Sequence, residues 1–108
     1  MKGAALKYYS ETGKTQADGA VEVLLTDCQA YGRHQIKLAV DGQPAAGTLS
    51  VYAKSPGAPE YDYIGAFDMT DTTARILRAS VNAEALKFVP ASFDAAKTYS
   101  IYGIVYEH

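Results

Sequence analysis

The run from Thr98 to Glu107 reads T-Y-S-I-Y-G-I-V-Y-E. As a strand it is aromatic and β-branched on both faces. Tyr99, Ile101 and Val105 share one side, and Tyr102, Ile104 and Tyr106 share the other. A strand in a half-wet sheet alternates apolar with polar residues. This one does not, so its second face is expected to meet something apolar too. In a chain of 108 residues, another subunit can supply that surface. No signal for chemistry in the chain is as strong.

Further strand patterns recur at short intervals with turn residues between them. Ala5 to Tyr9 reads as a first strand, in which Tyr8 and Tyr9 point to opposite faces. Glu11-Thr12-Gly13-Lys14 and Asp18-Gly19 then punctuate the chain. From Val21 to Thr26, Val21, Val23 and Leu25 alternate against Glu22 and Leu24. Gln35 to Asp41 alternates most cleanly, with Ile36, Leu38 and Val40 inward. Asp41-Gly42 and Pro44 mark a break. Thr48 to Lys54 puts Leu49, Val51 and Ala53 on one face. The segment Ser55-Pro56-Gly57-Ala58-Pro59 is a loop, because proline does not fit a strand interior. Tyr61 to Phe67 resumes as strand. Thr72 to Ser80 reads as strand or as one or two helical turns. Ala85 to Val89 is a strand ended by Pro90, and Ala91 to Lys97 is a loop or a single helical turn.

The expected fold is therefore all-β: a single antiparallel β-sandwich or jelly-roll of about eight short strands, spanning residues 1–108 as one domain. Each strand offers an apolar face to a common core, which two packed sheets satisfy. The composition is 48% hydrophobic and 20% charged, which suits a folded domain and argues against disorder. Net charge is −2, and Lys and Arg are scattered singly, so nucleic acid is not an expected partner. No run approaches the length of a membrane span, and the N-terminal apolar run is too short for a signal peptide. The chain is expected to be soluble and made in a cytoplasm without Sec export. Cys28 is alone, which excludes an internal disulfide; it reads as a small buried hydrophobe.

Candidate chemistry is sparse. Ser10-Glu11-Thr12-Gly13-Lys14-Thr15 contains the tail of a phosphate loop, but Tyr8 stands where that loop needs glycine. Gln16-Ala17-Asp18-Gly19 breaks any following helix, so a polar hairpin turn is expected. His34 and His108 show no ligand spacing with Cys28 or a carboxylate, so no metal is expected. His34, beside Arg33, is expected to be a solvated residue at the opening of a strand. Asp68-Met69-Thr70-Asp71 lacks the glycine and third acid of a calcium loop and reads as turn capping. Ser10, Ser55 and Ser92 lack the setting of a catalytic nucleophile. No cofactor and no catalytic role are expected. An enzyme would need clustered carboxylates with His34 in a pocket.

The nine tyrosines, with no tryptophan, admit three readings. They can line a thin core with hydroxyls at its rim, form a subunit or partner interface, or stack sugars. Tyr102, Ile104 and Tyr106 are the leading interface residues. Tyr61 and Tyr63, two apart on one strand face after the Pro-Gly loop, come second.

The second half resembles a pattern in small structural proteins of tailed-bacteriophage virions. Gly47-Thr48-Leu49-Ser50-Val51 leads to the Pro-Gly loop. Tyr61-Asp62-Tyr63-Ile64-Gly65-Ala66-Phe67-Asp68 follows, then Leu86-Lys87-Phe88-Val89-Pro90, Phe93-Asp94 and Tyr99-Ser100-Ile101-Tyr102. The resemblance implies a virion component made in the host cytoplasm: a capsid-decorating or cement protein, or a small tail part. Such proteins are often trimeric and act by burying surface against neighbours such as the major capsid protein. The rival expectation is a module that binds a glycan or a host surface.

Overall fold

A computed structural model describes residues 5–27, 32–73 and 75–106, with side chains from Lys7 onward. Cys28 and His108 lie outside the described residues. The strands are β1 (Ala5–Lys14), β2 (Val21–Leu24), β3 (Arg33–Val40), β4 (Thr48–Lys54), β5 (Tyr61–Asp68), β6 (Ile76–Ser80), β7 (Ala85–Ala91) and β8 (Tyr99–Tyr106). The described helix is one 3-10 turn, Gln16–Asp18. The strands form two antiparallel four-stranded sheets, the front sheet ordered β1-β8-β3-β6 and the back sheet β2-β7-β4-β5. Pairing is nested: β1 with β8, β2 with β7, β3 with β6, and β4 with β5.

One hydrophobic core lies between the sheets. The front sheet contributes Ile36, Leu38, Tyr99, Ile101 and Val105; the back sheet contributes Val21, Val23, Leu49, Val51, Leu86 and Phe88. These are the inward positions that alternation assigns, and each fully buried Leu or Phe contributes about 1.5–3 kcal/mol. Tyr9 packs against this core from β1, over Gly103 of β8. A Cβ at position 103 would lie inside the Tyr9 ring, so only glycine fits there.

Three details depart from the sequence reading, and the choice it left open between strand and helical turns before Ser80 is settled as strand. Glu11 to Lys14 is strand rather than turn, because β8 pairs with it across a register shift at which Gly13 takes φ +66°. Pro90 lies inside β7 instead of ending it, opposite Leu49 of β4. Residues 76–80 are strand, because β3 offers a pairing edge. His34 is buried, not solvated, at 3% exposure. It shares the inward parity of Ile36 and Leu38.

Candidate interaction surface

β8 is central in its sheet, so its backbone is hydrogen-bonded on both sides and only its outer side chains are available. Cross-strand partners share a face, which sets the outer rows of the front sheet. Tyr8, Ile104, Gln35 and Arg78 form one row; Ser10, Tyr102, Lys37 and Ile76 form the next; Tyr106, Arg33 and Ser80 form a third. Tyr8 is 74% exposed, Ile76 47% and Tyr102 45%; Ile104 and Tyr106 are half-buried. The Arg33 guanidinium carbon lies 5.9 Å from the Tyr106 ring centroid. A cleft of about 270 Å³ opens among Arg33, Gln35, Arg78, Ser80 and Tyr106. A shallower one of about 380 Å³ lies along Tyr8, Ser10, Tyr102 and Ile104. Thus the face is aromatic on β1 and β8 and cationic on β3 and β6.

The back sheet's outer face differs in kind. The Tyr61 hydroxyl donates to the Glu22 carboxylate. Lys87 Nζ stands 4.4 Å from the Tyr61 ring centroid and 5.7 Å from that of Tyr52. Tyr52 and Tyr63 meet edge to face with centroids 5.8 Å apart. Burial, then the hydrogen bond to Glu22, push the Tyr61 hydroxyl up to about 12. Lys54 Nζ donates to Glu84 at 2.8 Å, and the Gly57 N–H to the other oxygen at 2.8 Å, which hold Glu84 below its usual value. These charges answer one another within the chain.

The structure does not bring the two sets of sequence-derived interface residues together. Tyr102, Ile104 and Tyr106 lie on the outer face of the front sheet. Tyr61 and Tyr63 lie at the rim of the back sheet, on edge strand β5. Sequence reasoning missed Tyr8, the most exposed large hydrophobic side chain described, and the cations across β8 from it. Strand parity alone could have found Arg33 and Lys37, but Arg78 needed the β3–β6 pairing.

Elsewhere the turn acids and His34 Nε2 are occupied locally, whereas the buried His34 Nδ1 and Tyr99 hydroxyl have no hydrogen-bond partner among the described residues. Asp68 Oδ1 accepts from Thr70 N and Oγ1 at 3.0 and 2.7 Å, and Asp71 Oδ1 accepts from the same atoms of Thr73 at 2.8 Å. Both acids cap turns, as expected. His34 Nε2 donates to the Val81 carbonyl at 2.9 Å. Among the described residues no three His, Cys, Asp or Glu side chains group as metal ligands, and no helix is long and apolar enough to cross a membrane.

No protein-family model matches the chain. No curated protein matches it in sequence. Its fold has counterparts. The SPBc2 prophage-derived protein YomS superposes with a TM-score of 0.57 at 13% identity, covering 93% of each chain. A chain of the acidic stable capsid structure of Helicobacter pylori bacteriophage KHP30 superposes with a TM-score of 0.53 at 12% identity, covering 98% of this chain and 92% of that one. At such identities the likeness is one of fold.

Proposed function

We propose that this chain is a non-enzymatic structural protein of a tailed-bacteriophage virion, a capsid decoration or cement protein or a small tail component. It is a single-domain module that works as a homo-oligomer, with a trimer favoured, and it binds neighbours such as the major capsid protein. The observation that carries the reading is the outer face of β8, where Tyr102, Ile104 and Tyr106 stand in a sheet whose inner face already fills the core. Tyrosine and arginine side by side on an exposed sheet suit a protein contact. The nested strand pairing is the connectivity of a jelly-roll, a fold common in capsids. The fold likeness to a prophage-derived protein and a phage capsid chain supports the same reading.

The test is the solution mass of the purified chain by light scattering, with Ile104→Lys alongside. Ile104 faces outward and is only half-buried, so a lysine there costs the monomer about 1 kcal/mol or less. The wild type should form a closed oligomer and the variant folded monomers. A wild type that stays monomeric at high concentration, or a variant that unfolds, overturns the oligomeric reading.

The alternative is a glycan- or host-surface-binding module. Tyr63, 61% exposed beside Tyr52, is the observation that favours it. It requires a saturable glycan signal that Tyr63→Ala abolishes.

A further inference from the structure

We infer that the copies assemble head to tail, the outer face of one front sheet receiving the acidic β5 rim of the next copy. This rests on the oligomeric reading above and adds which two surfaces meet. The paired strand positions of the front face carry Arg33, Lys37 and Arg78 and, among the described residues, no carboxylate; the exposed Asp41 stands past the end of β3, away from Arg33 and Arg78. A two-fold pairing that laid β3 and β6 of this face on their own copies would set cations against cations, and like charges brought together across an interface cost several kcal/mol; one that crossed them over the partner's tyrosines would leave Arg33 and Arg78 without a carboxylate. The surface it accepts is therefore acidic and lies elsewhere on the molecule.

The chain supplies such a surface. From Ser55 to Thr73 there is no Lys or Arg, and the acids are Glu60, Asp62, Asp68 and Asp71. Asp68 and Asp71 are engaged in their turns. Glu60 and Asp62 are exposed, and no described residue forms an ion pair or side-chain hydrogen bond with either. They flank Tyr61 and lie next to the exposed Tyr63. Asp62 stands on β5 and Glu60 directly before it, and β5 is an edge strand with one side of its backbone unpaired, which a partner would cover.

The receiving cleft fits a carboxylate. Arg33 and Arg78 present planar donor forks that bind carboxylates through paired hydrogen bonds, and the Ser80 hydroxyl and Gln35 amide add further donors. Stacking on Tyr106 holds the Arg33 head in place. A sheet face and a sheet rim are roughly perpendicular and do not overlap, so every copy offers both. A contact between two such different surfaces is heterologous, and it closes into a ring when the turn per step divides a full rotation.

The experiment is light scattering of the full chain at matched concentrations for wild type, Arg78→Glu, Asp62→Arg and the double variant. Both sites are exposed, and circular dichroism checks that each variant is folded. Each single reversal should weaken assembly about 100-fold, and the double reversal should restore it, because the charge pair is rebuilt with opposite sense. Raising the salt should dissociate the wild type. A wild-type oligomer indifferent to both reversals overturns the head-to-tail contact while leaving the oligomeric reading intact. Single reversals that dissociate the oligomer without mutual rescue overturn the β5 rim as the occupant. A wild-type monomer removes the oligomeric reading itself.

Discussion

His34 carries a charge decision inside the core. Its parity with Ile36 and Leu38 turns the ring inward, where Nε2–H donates to the Val81 carbonyl at 2.9 Å. Desolvation holds its pKa below the ordinary 6.5, against the opposing pull of that hydrogen bond. The native state thus prefers the neutral ring, whereas the unfolded chain takes up a proton near 6.5. Below that pH the unfolded state binds more protons, so stability falls as pH falls. The contribution is full above 6.5 and is lost progressively toward the folded value. Asp18 and Glu84, depressed from 3.8 and 4.5, enter only at lower pH. The urea midpoint should therefore drop between about pH 7.5 and about pH 5.5. In His34→Gln that slope should be smaller. Equal slopes in the two proteins would show that His34 does not titrate with folding. The neighbour Arg33 suggests an exposed position; parity decides otherwise, because the packing of a strand face outweighs the polarity of one adjacent residue.

At the scale of elements, β7 and its exit show where local reading stops. A strand residue's N and C=O point to the same side. The Pro90 carbonyl accepts from Gln16 Nε2 at 3.0 Å on the side of β2, whose pairing with β7 begins only at Val21 and Phe88. Proline's missing N–H therefore costs no ladder bond, and the strand runs through it. Two residues on, Ser92 takes φ 57°, and the following Phe93 N–H donates to Gln16 Oε1 at 2.8 Å. One side chain thus satisfies both backbone groups of the exit. Gln16→Ala strands a part-buried donor and acceptor and should cost about 2 kcal/mol. Gln16→Glu keeps the acceptor, loses the donor and should fall between. Chemical denaturation measures both, and an alanine variant as stable as the wild type would mean the exit is held by the burial of Phe93 alone. Alternation made β4 legible to the residue, and aromatic and β-branched content did the same for β8. The end of β7 and the bulge at Gly13 were not, because each depends on a partner far along the chain.

At the scale of the whole molecule, eight strands and two sheets were legible, but the choice of partners was not. Nested pairing is a global property: β4 and β5 are joined by a short loop, whereas β1 and β8 enclose nearly the entire chain. The same nesting puts the front-face tyrosines and the β5 tyrosines on separate surfaces, which strand parity could not reveal. It also orders the folding events. Loop-closure entropy rises with the length enclosed, so the β4–β5 hairpin forms most cheaply and the β1–β8 pairing gains from everything nested inside it. Folding dominated by such non-local pairing should take about milliseconds to seconds. Val51 on β4 and Val105 on β8 are both fully buried, so Val51→Ala and Val105→Ala remove the same atoms from the same core. Val51→Ala should mainly slow folding, with a φ-value above about 0.5, and Val105→Ala should mainly speed unfolding, with a value below about 0.3. Stopped-flow measurements at dilute chain concentration separate the two. The reverse order would place the nucleus in the front sheet, and equal values would mean that the two sheets form together.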